Sequence, residues 1–154
     1  MKYINYKFLF ILSVIFGNGQ ILAADINGLW AQIDEKDNRL NSVVRIETNN
    51  NILQGVIVKG FPKPGKTLNT DALCNLCPGE FKDKPLLGLR LLWGLTGSGN
   101  IWDGGQILDP DNGEIYRAKL MLSEDGTSLN VRGYVGIELF GRTQIWQRYS
   151  DKLE

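Results

Sequence analysis

Apolar residues recur at every second position along most of this chain, and a helical period is almost absent. In Glu114 to Ser123, Tyr116, Ala118, Leu120 and Leu122 fall on one face, with Arg117 and Lys119 on the other. Ser128 to Val135 groups Leu129, Val131, Gly133 and Val135 against Asn130 and Arg132. Ser42 to Thr48 sets Val44 and Ile46 against Arg45 and Glu47. Side chains alternate across a strand, so this pattern predicts antiparallel strands with one face in a core and one in water. Clusters of turn-forming residues separate the runs: Asn49-Asn50-Asn51, Gly97-Ser98-Gly99-Asn100, Asp109-Pro110-Asp111-Asn112-Gly113 and Glu124-Asp125-Gly126.

Eight strands are expected, at about 28–34, 42–48, 52–60, 87–95, 101–108, 114–123, 128–136 and 142–149. Most are joined by short loops, so successive strands are neighbours. A meander of eight closes most simply into an all-β up-and-down antiparallel barrel, which leaves no exposed edge. A two-sheet sandwich is the alternative. One long connection, residues 61–85 between the third and fourth strands, interrupts the meander. It holds Pro62, Pro64, Pro78 and Pro85 and both cysteines, Cys74 and Cys77. A connection of that length is functional or a packed surface loop.

The N-terminus reads as an address. Lys2 and Lys7 precede an apolar run from Phe8 to Phe16, and Ile21-Leu22-Ala23-Ala24 follows. That order is the one found in a secretory signal peptide, and nine apolar residues are too few for a membrane-spanning helix, which needs roughly 20. No cysteine follows the run to carry a lipid. Residues 1–24 are therefore expected to be a signal peptide and 25–154 a single β-barrel domain in the periplasm or secreted, with no transmembrane segment.

Composition removes several chemistries. The chain has no histidine, so no Ser-His-Asp triad, Cys-His dyad, His-ligated zinc or CxxCH haem attachment is available. With 17 basic and 17 acidic residues, it lacks the positive excess of a nucleic-acid binder. No metal and no cofactor is implied.

Gly60-Phe61-Pro62-Lys63-Pro64-Gly65-Lys66-Thr67 matches the phosphate-binding pattern GxxxxGK[ST] letter for letter. Two prolines remove N–H donors from that cradle, and no helical period follows, so the match is not read as a nucleotide site. Cys74-Asn75-Leu76-Cys77 is a CxxC. Zinc would need further soft ligands, and a thioredoxin-like pair would need a βαβ context. An oxidising compartment favours a structural disulfide, with a redox-active pair as the alternative. Asp109, Asp111 and Glu114 sit too close together for a calcium loop and read as a solvated hairpin turn. The paired glycines of Trp102-Asp103-Gly104-Gly105 mark a bulge, where Trp102 and Asp103 are candidates for a ligand site at the barrel rim. Arg132 and Tyr134 are the further rim candidates. If the barrel closes, the first and last strands pair, and the Arg148 guanidinium is expected to stack on the Trp30 indole.

The opening Gly28-Leu29-Trp30 and the late Arg148 resemble the calycins, the lipocalins and their relatives. That resemblance implies an eight-stranded barrel with Trp30 plugging one end under a basic residue. The chain departs from it in having no helix after the last strand and an extra connection at 61–85. A longer set of motifs, GLW, CNLCPGEFKDKPLLGL, LLWGL, WDGGQILDPDNGEIYRAKL and LNVRGYVGIELFGRTQIWQR, resembles the exported bacterial family of domain of unknown function 2147. It implies a periplasmic or secreted small barrel and assigns no activity or site residues. The function expected is a non-catalytic envelope protein taking a small apolar or amphipathic molecule in or at the mouth of the barrel. The alternatives are a thiol-redox or other enzyme built on the 61–85 loop and an envelope interaction protein without a ligand.

Overall fold

The computed structural model describes residues 24–150, so the expected signal peptide lies outside the described residues except for Ala24. Eight antiparallel strands follow one another around a closed barrel: β1 (Gly28–Asp34), β2 (Arg39–Asn49), β3 (Ile52–Gly60), β4 (Arg90–Ser98), β5 (Ile101–Asp109), β6 (Glu114–Leu122), β7 (Ser128–Tyr134) and β8 (Arg142–Arg148). The sandwich alternative is excluded by closure of β1 on β8, where Trp30 faces Arg148 and Ala31 faces Gln147. That seam is the shortest in the barrel, two paired residues against seven between β1 and β2.

Period-two alternation does place the core. Trp30, Val44, Ile46, Leu53, Leu92, Leu95, Leu120, Leu129 and Trp146 are completely buried. Each fully buried Leu or Ile contributes about 1.5–3 kcal/mol. These large side chains fill the interior, as they do in small barrels whose circumference leaves room for little else.

Four boundaries differ from expectation by two residues or more. The second strand starts at Arg39, not 42, and the fourth runs on to Ser98, not 95. The fourth strand starts at Arg90, not 87, because Gly88 N–H donates to the Ile57 carbonyl and Leu89 N–H turns back onto Leu86. Those residues therefore end the long connection. The seventh strand stops at Tyr134, so Val135 does not join the core face but stands 69% exposed, while Tyr134 is buried. The expected bulge in β5 is present as a register shift between Trp102 and Gly105. A Cβ on Gly105 would lie 2.4 Å from the Trp93 carbonyl oxygen, so only glycine lets β4 and β5 approach this closely.

The two barrel ends differ. One carries residues 24–27 and the tight β2–β3, β4–β5 and β6–β7 turns. The other carries the β1–β2, β5–β6 and β7–β8 loops and the long β3–β4 connection. That connection is an ordered plug. Cys74 N–H donates to the Lys84 carbonyl and Leu86 N–H to that of Ala72, 2.8 Å each. Its Cys74, Cys77, Phe81 and Leu89 join the same apolar cluster as the barrel interior.

Candidate functional site

Three places on the barrel bring polar and apolar groups together. The first is the β1–β8 seam. The Arg148 guanidinium lies 3.9 Å from the centroid of the Trp30 ring. Its Nε donates to the Gly126 carbonyl at 3.0 Å, its Nη1 to that of Asn27 at 2.8 Å, and its Nη2 to that of Asp25. Burial pushes the guanidinium down from its ordinary pKa range, and the Asp25 carboxylate opposes that shift. Gly28 makes room, because a Cβ there would come within 3.0 Å of Nη1. Each of the three guanidinium nitrogens donates to a backbone carbonyl, so this arrangement closes the barrel and caps its end.

The second place is the plug. Cys74 and Cys77 form a disulfide, and the two residues are 1% and 2% exposed. Cys74 Sγ packs 3.9 Å from the Pro110 carbonyl oxygen of the β5–β6 hairpin. A dithiol exchange needs an accessible sulfur for the attacking thiolate, and this one is sealed. Beside it a hollow of about 320 Å³ opens to solvent, with Phe81, Pro85, Leu87 and Leu89 as its apolar lining and Lys84 and Arg90 among its charged residues. Phe81 stacks on Trp93 with ring centroids 5.2 Å apart. Arg90 lies over both rings, at 5.4 and 5.3 Å, and pairs with Glu80 at 2.9 Å. A second hollow, about 550 Å³, lies at the opposite end and is lined mainly by polar residues, including Arg45, Glu47 and Gln54.

The third place is the β7–β8 loop, whose backbone is clasped by Arg132. Nε donates to the Glu138 carbonyl at 3.0 Å, Nη2 to the same carbonyl at 2.8 Å and to that of Leu139 at 3.2 Å, and Nη1 to Thr143 Oγ1 at 2.7 Å.

The four rim candidates from the sequence do not converge on one pocket. Trp102 is buried, its Nε1 donating to the Gly99 carbonyl in the β4–β5 turn. Asp103 accepts from Gly104 N–H at 2.6 Å within its own bulge. Tyr134 is buried under the Arg117 guanidinium, 5.6 Å from the ring centroid. Arg132 serves the loop. The cluster of Phe81, Arg90 and Trp93 escaped the sequence reading because its members are split between the connection and β4. The one available signal was the aromatic and basic content flanking the CxxC.

A family model described as an uncharacterized protein conserved in bacteria, DUF2147, matches residues 28–148. The chain belongs to that family. The match runs from the first residue of β1 to the last of β8, so the DUF2147 unit coincides with the closed barrel. Among solved structures, the barrel is similar to protein HP1028 from the human pathogen Helicobacter pylori, described as belonging to the lipocalin family. The TM-score is 0.68 at 17% identity, over 84% of this chain and 86% of that one. At that identity the likeness is one of fold. A search of curated proteins finds no match. Among the described residues of this DUF2147 chain, no helix is long and apolar enough to cross a membrane.

Proposed function

We propose that this DUF2147 protein is an exported, non-catalytic binding protein of the bacterial envelope that takes a small amphipathic molecule beside the plug, not inside the barrel. The observation that carries the reading is the hollow along Phe81, Leu87 and Leu89, where Lys84 suits an anionic head while Arg90, paired with Glu80, lies over the Phe81 and Trp93 rings. Its volume of about 320 Å³ suits a small ligand. The interior is an unsuitable place, since Trp30, Leu92, Leu120 and Trp146 already fill it. The signal-peptide pattern of residues 1–24 supports export. The thiol-redox alternative is disfavoured by the burial of both sulfurs.

Titration with dodecanoate below its micellar concentration tests this. Trp93, stacked on Phe81, should report saturable binding through its fluorescence. Leu87→Glu should abolish that response and Arg90→Ala should weaken it. A saturable response that Leu87→Glu leaves intact would place the ligand elsewhere. No response at all would remove the amphiphile reading.

A further inference from the structure

We propose that the hollow beside the plug is a site made by oxidation. It binds its ligand fully only in the chain whose Cys74 and Cys77 are joined, and the joined state is locked once the plug is seated. This rests on the amphiphile reading of that hollow. Neither cysteine lines the hollow, so the link acts through the backbone.

Phe81, Lys84, Pro85 and Leu87 form much of the wall, and the backbone that carries them hangs on Cys74. Cys74 N–H donates to the Lys84 carbonyl at 2.8 Å, and the Cys74 carbonyl accepts from Asp83 N–H at 3.1 Å. Leu73 bridges Pro85, and Leu86 N–H donates to the Ala72 carbonyl. Residues 72–74 and 83–86 are thus two legs of one clip. The second leg runs on into Gly88 and Leu89, which bond to Ile57 on β3. The first leg has no such continuation, because positions 62–71 are all exposed.

The seat of the first leg is the CxxC turn. Cys74 and Cys77 sit in the apolar cluster, and Cys74 Sγ packs on the Pro110 carbonyl. The Leu76 carbonyl lies so close to Gly113 that a Cβ there would overlap it. The backbone closes the turn with a long bond, Cys77 N–H to the Cys74 carbonyl at 3.3 Å, so the covalent link is the stronger hold. Cutting a ring this small frees the open plug and raises its population by about 20-fold on the chain-entropy model. A ligand that needs the closed wall then loses affinity in proportion to the fraction of chains still closed.

Joining the cysteines passes two electrons and two protons from the two thiols to an external disulfide, which leaves as two thiols. That exchange needs a sulfur within reach of the attacking thiolate. In the seated plug the two residues are 1% and 2% exposed, so the exchange belongs to the open chain, before docking. In an oxidising compartment the link forms first and the wall closes over it. In a reducing one the barrel closes around an unfinished site.

Dodecanoate titration of three forms of the mature chain tests the proposal: the oxidised wild type, Cys74→Ser/Cys77→Ser, and wild type unfolded, reduced with dithiothreitol and refolded in its presence. Affinity should fall by about 3- to 20-fold in the last two. It should return when the reduced chain is unfolded, oxidised and refolded. Dithiothreitol added to the folded, oxidised chain should change nothing. Hydrogen exchange supplies a readout without ligand. The amides of Asp83 and Leu86 should exchange about 20-fold faster without the link, while those of Leu120 and Leu129 in the barrel keep their protection. Undiminished affinity in the reduced, refolded chain would overturn the proposal. So would loss of binding when dithiothreitol meets the folded chain, or an equal acceleration at Leu120 and Leu129, which would mark a general loss of stability. If the oxidised chain takes no dodecanoate, the ligand reading falls, and exchange at Asp83 and Leu86 alone decides whether the wall depends on the link.

Discussion

The Arg148 guanidinium carbon lies over Trp30, 3.9 Å from the ring centroid, at the seam where the barrel has only two residue pairs. The stacking and the three backbone acceptors of Arg148 compensate for a short ladder. Arg is suited to this because its planar, weakly hydrated head can stack and donate at once. Trp30→Ala should cost about 3–5 kcal/mol, chiefly through lost packing. Arg148→Ala should cost less, and the pair should be coupled by about 0.5–2 kcal/mol in a double-mutant cycle read by urea unfolding. Additive effects would show that the two side chains act separately and that the stack does not hold the seam.

The disulfide should matter for stability and not for turnover. It closes a very small ring, for which the chain-entropy contribution is about 2 kcal/mol. Cys74→Ser/Cys77→Ser should therefore lower the urea midpoint while leaving the far-ultraviolet spectrum unchanged. In the folded wild type, both sulfurs should resist reduction by glutathione until denaturant is added, because the residues are 1% and 2% exposed. Rapid reduction under native conditions would contradict the sealed plug.

Strand placement was legible because each strand has one wet and one dry face, and turn chemistry punctuates the chain. Legibility failed where tertiary contacts override local pattern. Leu87 to Leu89 reads as the start of a strand, yet Gly88 and Leu89 bond to Ile57 and end the connection instead. Val135 continues the alternation of Leu129 and Val131, yet the Arg132 clasp begins the loop there. Topology alone pairs Trp30 with Arg148, since a closed meander must join its ends. The three backbone acceptors of Arg148 carry no sequence signal. The candidate site was less legible still, because Phe81, Arg90 and Trp93 meet only when the connection folds over β4.

Export is open to direct test in the native host. The order Lys2, Lys7, Phe8 to Phe16 and Ala23-Ala24 predicts processing near Ala24. Intact mass of the envelope fraction should correspond to a chain beginning close to Asp25. A cytoplasmic pool retaining the full N-terminal segment would remove both the export proposal and the oxidising environment that favours the disulfide.

Acid should loosen the β6–β7 turn before it unfolds the barrel. The Asp125 carboxylate accepts from Ser123 Oγ at 2.6 Å, Thr127 N–H at 3.0 Å and Thr127 Oγ1 at 2.8 Å. These bonds favour the charged form and lower its pKa from 3.8 to about 2, the Ser123 bond contributing most. A folded-state pKa below the unfolded one adds stability at pH above about 4, and that contribution is lost as the pH falls toward 2. The turn matters to the seam because Gly126, the next residue, supplies the carbonyl that Arg148 Nε holds at 3.0 Å. Carboxyl resonances should give a midpoint near 2 for Asp125, and the Arg148 Nε–H signal should shift over the same range. Asp125→Asn should keep much of the turn at neutral pH and remove this part of the acid dependence. A midpoint near 3.8, or an Arg148 signal indifferent to the titration, would show that the turn carboxylate and the closure seam are independent.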